Sequence, residues 1–312
     1  MANIQDWLSL TRWPVVAPLA LTMFAAPACT NASSSAAEEA PVLTTFTVLA
    51  DMTRNVAGDE FDVVSLTRPG AEIHSYEPTP DDLVRGQDAH LILANGLGLE
   101  AWFTQFTDQI DAPTATLSDG VETIPIAEGA HEDQANPHAW MSPDNAHTYV
   151  DNIRDALTDL APENAATFES NAEAYKAEIS EVGEYLSTEL DTLPEEHRAL
   201  VTCEGAFSYL ARDAGLREQY LWPVNAETEA TPRQVASTVG FVEDNDVPAV
   251  FCESTVNDDA QRQVAEETGA RLGGELYVDS LSKTDGPVPT YLDLLRHDAE
   301  TIVAGLTEQE RP

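Results

Sequence analysis

The sequence predicts an α/β protein of two Rossmann-like lobes, each with a central parallel sheet, joined by one long rigid α-helix, with a binding site in the cleft between them. Three observations predict it. Short apolar runs alternate with helical patterns over residues 43–106 and again over 199–306, which implies parallel sheets covered by helices. Between them, Phe168, Ala172, Tyr175, Ile179, Val182, Leu186 and Leu190 form a single stripe at helical spacing. Residues able to carry chemistry, His74, Glu204 and Asp279, follow the ends of apolar runs, where open α/β sheets bind ligands.

In chain order, Leu43 to Ala50 reads as a strand and Asp51-Met52-Thr53 as the start of a short helix that Gly58 ends. Phe61, Val63, Val64 and Leu66 predict a strand stopped by Pro69-Gly70; the Pro-Thr-Pro-Asp-Asp that follows caps a helix from about Pro80 to Ala89. His74 lies in the loop between them. His90 to Gly96 reads as a strand, followed by a helix near Glu100 with Trp102, Phe103 and Phe106 on one face, then a weaker segment from Pro113 to Ala130. His138 precedes a helix carrying Tyr149, Ile153, Ala156, Leu157 and Leu160. The long helix, starting at Ala161-Pro162-Glu163, runs about 30 residues and roughly 45 Å, which makes it a spine and a poor hinge. The second lobe alternates strand Ala199 to Cys203, helix from Phe207, strand Tyr220 to Trp222, helix Pro232 to Asn245, strand Val247 to Cys252, helix Asp258 to Thr268, strand Leu276 to Asp279 and a terminal helix Tyr291 to Leu306. The expected boundaries are an export signal over 1–28, a tether over 29–41, an N-terminal lobe over 42–160, the linking helix over 161–193 and a C-terminal lobe over 194–312.

Charge excludes some partners. The chain has 15 basic and 55 acidic residues, a formal net charge of −40, and its only lysines are Lys176 and Lys283. Such a surface repels nucleic acid and anionic lipid headgroups and needs counterions to screen its self-repulsion. Because the acidic residues are spread along the whole chain, the composition reads as adaptation to a salty medium.

Arg12 ahead of the apolar stretch Val15 to Ala26, then Ala26-Pro27-Ala28-Cys29, reads as an export signal. The apolar part is shorter than the about 20 residues a membrane span needs. Cys29 is the candidate lipid-modified residue of an envelope lipoprotein, although Ala-Pro-Ala also suits an ordinary signal peptidase. The expected location is the cell envelope, either periplasmic or lipid-anchored to the outer face of the cytoplasmic membrane, with no other membrane contact. Export places Cys203 and Cys252 where disulfides persist. Each follows an apolar run and precedes a glutamate, so a bond between neighbouring strand ends in one sheet is expected.

His74, His138, Glu204 and Asp279 together would make a near-neutral cage for a divalent cation. Spacing leaves other readings open, because the four are scattered and lack a compact signature: a solvated His74, a capping role near His138, and strand-end carboxylates that accept backbone hydrogen bonds.

A family resemblance bears on that choice. Pro69-Gly70 with His74-Ser75-Tyr76-Glu77-Pro78-Thr79-Pro80, Asn95-Gly96-Leu97-Gly98-Leu99-Glu100-Ala101-Trp102, Pro137-His138-Ala139-Trp140-Met141-Ser142-Pro143, Val201-Thr202-Cys203-Glu204-Gly205-Ala206-Phe207-Ser208-Tyr209 and Tyr277-Val278-Asp279-Ser280-Leu281 resemble the manganese, iron and zinc solute-binding proteins of bacterial ABC importers. The likeness spans about residues 43 to 306. It implies two α/β lobes on a long backbone helix and metal ligation by His74, His138, Glu204 and Asp279. It also implies a divalent metal carried as cargo, an ABC permease as partner, no enzymatic activity and a monomer. One departure is Asn136, where the family usually has aspartate before Pro-His.

Relatives devoted to zinc often carry a histidine-rich loop before the second ligand and a third histidine where this chain has Glu204. Here that loop holds only His131, and two carboxylates stand beside two histidines. Hard oxygen donors favour Mn²⁺, with Fe²⁺ next and Zn²⁺ third, although intrinsic affinity runs the other way. Two rival classes are a surface adhesin and a metallohydrolase. The second is disfavoured because all four groups are committed as ligands and no general base is evident.

Overall fold

The computed structural model describes residues 41–103, 112–129, 131–224 and 230–307. The export signal, Cys29, nearly all of the tether, and Phe106 lie outside them. No helix among the described residues is long and apolar enough to cross a membrane.

The first sheet is parallel and four-stranded, in the order β2-β1-β3-β4, from β1 (Val42–Thr44), β2 (Val63–Ser65), β3 (Leu91–Ala94) and β4 (Thr114–Thr116). Val42 pairs with both Val63 and Leu91, which puts β1 at the centre. Strand β4, Thr-Ala-Thr at the edge, lies inside the segment read as weak. An edge strand half open to solvent needs no apolar alternation.

The expected strand Leu43 to Ala50 is corrected: β1 stops at Thr44 and α1 (Thr47–Ala57) begins three residues later. Phe46, extended at φ −146°, caps the helix, and every residue from Thr47 to Thr53 is buried. Within the helix only Arg54 and Asn55 are exposed, so its enclosed first turns resemble a continuing strand.

Helix α2 (Pro80–Gln87) starts where expected, with Thr79 accepting from the Asp82 backbone and Asp82 reaching back to Thr79, a reciprocal cap. Beyond Glu100 only a 3-10 turn, Ala101–Phe103, falls among the described residues. Helix α3 (Pro143–Leu160) then leads to α4 (Ala165–Leu190), whose 26 residues span about 39 Å. The buried face of α4 is the predicted stripe from Phe168 to Leu190. It belongs to one continuous apolar core that also contains Leu49 and Tyr149 from the first half and Leu200, Phe251 and Tyr291 from the second.

The C-terminal half contains β5 (Ala199–Glu204), α5 (Ser208–Asp213), β6 (Arg217–Trp222), α6 (Pro232–Asp244), β7 (Ala249–Glu253), α7 (Asp259–Thr268), β8 (Arg271–Leu276) and α8 (Tyr291–Thr307). Strand β5 pairs with β6 and β7 with β8, both parallel. Two expectations change here. Strands β5 and β7 belong to separate ladders, not one sheet. The Gln261 amide donates to Val201 O and Phe251 O at 3.2 and 2.7 Å and so joins the two ladders.

The strand expected at Leu276 to Asp279 instead ends at Leu276, which leaves Asp279 in a loop. Its true span includes Gly273-Gly274, where the Phe251 ring packs so closely that a Cβ on Gly273 would lie 2.3 Å from it. Gly274 is crowded in turn by Thr301, and the glycine pair erases the alternation that marks a strand. Past Leu276, side chains replace the ladder: Tyr277 N donates to Asp298 Oδ1 at 2.9 Å, and Trp140 Nε1 to Val278 O at 3.2 Å.

Candidate metal centre

His74 is held by its loop. Gly70 takes the left-handed φ of 78° that turns the chain after Pro69, and its N donates to Ser280 Oγ at 2.7 Å. Trp102 Nε1 donates to Ile73 O at 2.8 Å, and His74 N donates to Glu72 Oε1 at 2.5 Å. The imidazole side chain is consequently 4% exposed despite its loop position.

His138 caps the 3-10 turn Ala139–Met141. Its backbone N and ring Nδ1 both lie against Asn136 Oδ1, at 3.0 and 2.9 Å. Nδ1 therefore donates there, leaving the Nε2 lone pair for the cleft. Asn136 Nδ2 in turn donates to Gly205 O at 2.6 Å. An aspartate would present a second acceptor to that carbonyl, so the amide suits this chain and ties His138 to the residue after Glu204.

Glu204 ends β5, and its backbone N faces the Glu253 carboxylate at 3.2 and 3.3 Å. Gly205 lets the chain turn: a Cβ there would lie 2.5 Å from Pro223 O. Asp279 receives Thr255 Oγ1 on Oδ2 at 3.4 Å, while its buried Oδ1 has no hydrogen-bond partner.

The four side chains converge. His74 Nε2 lies 3.1 Å from His138 Nε2, 3.4 Å from Glu204 Oε1 and 3.9 Å from Asp279 Oδ1. His138 Nε2 lies 3.9 Å from Glu204 Oε1 and 3.8 Å from Asp279 Oδ1. Donors roughly 2.1 Å from a common ion in tetrahedral array stand about 3.4 Å apart. With two imidazoles, two carboxylates and an orphaned buried oxygen on Asp279, the donor set fits a divalent cation. Among the other histidines, His147 Nε2 meets Lys176 O and Ser180 Oγ between α3 and α4, His297 bonds Glu275 O, and His131 sits beside Gln134.

Burial and charge compete at these groups. Burial lowers the His74 pKa, but Glu204, Asp279 and Glu72 outweigh it and the net shift is upward. Complete burial, followed by the neighbouring His74, pulls His138 well below its ordinary value. Burial raises Asp279 to about 6 against the opposing pull of His74.

Sequence reasoning passed over Glu253, though Phe251-Cys252-Glu253 repeats the pattern of Thr202-Cys203-Glu204. Burial pushes its carboxyl up to about 8 against the hydrogen bonds it accepts. Between about 4.5 and 8 the unfolded chain loses a proton that the folded chain keeps, so stability falls as pH rises. Glu253→Gln should remove that slope and raise Tm at pH 7.5, with a gain on the order of 2 kcal/mol, but not at pH 4.5. An equal Tm change at both pH values would mean Glu253 carries no such proton. Glu72 was also missed; its signal was only an acidic residue two positions before His74.

Cys203 and Cys252 are joined in a disulfide, 49 positions apart, with Cα atoms 4.9 Å apart. It bridges β5 and β7, which share no ladder, one residue before both Glu204 and Glu253.

A family model described as the periplasmic component A of a zinc-uptake complex matches residues 42–305. The chain is 49% identical over 276 residues to the iron-binding protein YfeA of Yersinia pestis, covering 88% of this chain and 89% of that protein. It is 33% identical over 295 residues to the manganese-binding lipoprotein MntA of Halalkalibacterium halodurans, covering 94% and 97%. The Mn-bound periplasmic metal-binding protein of Candidatus Liberibacter asiaticus superposes with a TM-score of 0.80 at 42% identity, covering 85% of this chain and 98% of that one.

Proposed function

Because this chain belongs to the family of metal-binding periplasmic substrate-binding proteins of ABC importers, we propose that it captures one divalent transition metal, Mn²⁺ before Fe²⁺ or Zn²⁺, and delivers it to a permease for uptake. The observation that carries this reading is the convergence of His74, His138, Glu204 and Asp279 with an unpartnered, buried Asp279 oxygen. Two carboxylates favour a harder ion and permit coordination above four, which supports Mn²⁺ over Zn²⁺.

His74 and His138 come from the segment 42–160, and Glu204 and Asp279 from 194–312. A metal between them ties the two lobes and stabilises whichever arrangement brings all four donors together. Asn136 and the Gly70–Ser280 bond already connect the two sides, so the motion accompanying release is a small one about the shared core. The disulfide flanks Glu204 and gives the site a rigid floor.

The test is titration of the metal-stripped protein with Mn²⁺, Fe²⁺ and Zn²⁺ in high salt, followed by thermal stability. One-to-one binding that raises Tm, lost in His74→Ala, is expected; no stabilisation by any of the three removes the reading. Binding displaces protons, because both imidazoles must be neutral and Asp279, at about 6, must be ionised. Affinity should therefore drop at least about tenfold from pH 7 to pH 5. A flat profile would remove Asp279 and His74 from the donor set.

A further inference from the structure

A second set of donors overlaps the first and lies nearer solvent. Glu72, His74 and Asp279 each offer one ligand atom within 4.8 Å of the others, as do His74, His138 and Glu204. His74 is common to both sets. The side chains of His138 and Glu204 are 0% and 1% exposed. Glu72, in contrast, is half-buried and, with Ser75, Thr255 and Asp259, lines an open cavity. Thr255 also bonds Asp279, so the wall of this cavity touches the donor set at Glu72 and at Thr255. The buried Asp279 Oδ1 accepts no hydrogen bond.

The Glu72 carboxylate is fixed in place. Oε1 accepts from His74 N at 2.5 Å, and Oε2 from Ser75 N at 2.9 Å and Ser75 Oγ at 2.7 Å. An ionised carboxylate has about four lone-pair sites, so three such bonds leave room for one more contact. The residue is thus held ready as a donor at the mouth of the site, anchored to the loop that carries His74.

We propose that Glu72, His74 and Asp279 form an outer transit position that holds an incoming divalent cation before it moves inward onto His138 and Glu204. The inference rests on the inner donors binding metal as cargo. An ion entering a nearly closed cleft must lose its hydration shell, and stripping it before protein oxygens replace the waters is costly. Glu72 supplies the first replacement oxygen while the solvent side of the ion is still wet. Asp279 and His74 then hand the ion across, since both serve the outer and the inner positions.

A transit position lowers the barrier in both directions and leaves the end states unchanged. Mn²⁺ is the probe. Association is followed by stopped-flow tryptophan fluorescence, since the Trp140 ring lies 5.2 Å from that of His138, and dissociation by a chelator chase. Measurement in high salt screens long-range attraction. Glu72→Gln is expected to lower the association and dissociation rates together, by about tenfold, with Kd changed by less than about threefold. Glu77→Gln removes the same charge from an exposed position in the same loop but leaves the donors and their hydrogen bonds, and its rates should match the unaltered protein.

Unchanged rates in Glu72→Gln would overturn the proposal. So would faster dissociation with weakened Kd, the signature of a residue that merely shapes the His74 loop, or equal slowing in Glu77→Gln. If Glu72→Gln does not fold, Glu72→Asp, which keeps the charge but shortens its reach, is expected to slow both rates, and unaltered rates there would be equally fatal. Failure of the unaltered protein to bind Mn²⁺, Fe²⁺ or Zn²⁺ would overturn the metal-receptor reading itself, and the transit position with it.

Discussion

Asp279→Asn is expected to weaken Mn²⁺ binding by on the order of a thousandfold, well beyond the roughly 10–100-fold that residues outside the ligand set are worth. The asparagine keeps the size of the side chain and an oxygen for Thr255, which bonds Oδ2 at 3.4 Å, but removes the charge. With His138 neutral and His74 beside Glu204, one carboxylate is left to balance a divalent ion. Metal added at a thousand times the native Kd stabilises the unaltered protein by about 4.1 kcal/mol and the variant by about 0.4 kcal/mol. For a domain of this size that separates a Tm rise of roughly 8–16 °C from one of roughly 1 °C.

The metal-free variant should move the other way. Burial raises Asp279 to about 6, so at pH 7 the folded protein holds an ionised carboxylate in a place that disfavours it. Its removal should raise the metal-free Tm at pH 7. Scanning calorimetry with and without metal reads both effects. A variant that lost metal binding together with metal-free stability would point to a damaged fold, and retained metal stabilisation would take Asp279 out of the donor set.

Replacing Cys203 and Cys252 together by alanine is expected to destabilise the protein by about 4 kcal/mol, the chain entropy released by opening a loop of 49 residues. The effect is concentrated where β5 and β7 lack a shared ladder. There the remaining links include Gln261, which donates to both strands, and the Glu253 carboxylate against Glu204 N. Reductant should lower the Tm of the unaltered protein toward that of the double variant and leave the double variant unmoved. A Tm difference below about 1 °C would show that those polar links hold the strands alone. Because Glu204 follows Cys203 directly, Mn²⁺ affinity measured with and without reductant also decides whether the bond governs metal retention.

Local signals made much of the fold legible. The stripe from Phe168 to Leu190 is the buried face of α4, and Thr79 with Asp82 and Thr231 with Gln234 form the reciprocal caps that open α2 and α6. Such features depend on residues three or four apart and survive in one dimension. Helix α1 is hard to read for the opposite reason: its first two turns are enclosed in the core and only Arg54 and Asn55 face solvent to reveal its period. Strand β8 is hard to place from sequence because Gly273 makes way for Phe251, some twenty positions earlier, and Gly274 for Thr301.

The amino-acid sequence by itself determined the α/β class, the long connecting helix, the acidic character and the identity of four scattered candidate donors. Pattern and composition are properties of neighbours, and resemblance adds order along the chain. Tertiary structure alone decided that His74 and His138 stand 3.1 Å apart with each 3.4 to 3.9 Å from the Glu204 and Asp279 oxygens, that Asn136 orients His138 and touches Gly205, that Gln261 donates to both β5 and β7, and that Glu72 lies beside His74 and Asp279. Each of these is a contact between residues far apart in the chain or facing one another across a loop. Distances of that kind are set by how segments far apart in the chain pack on one core, which no local spacing encodes.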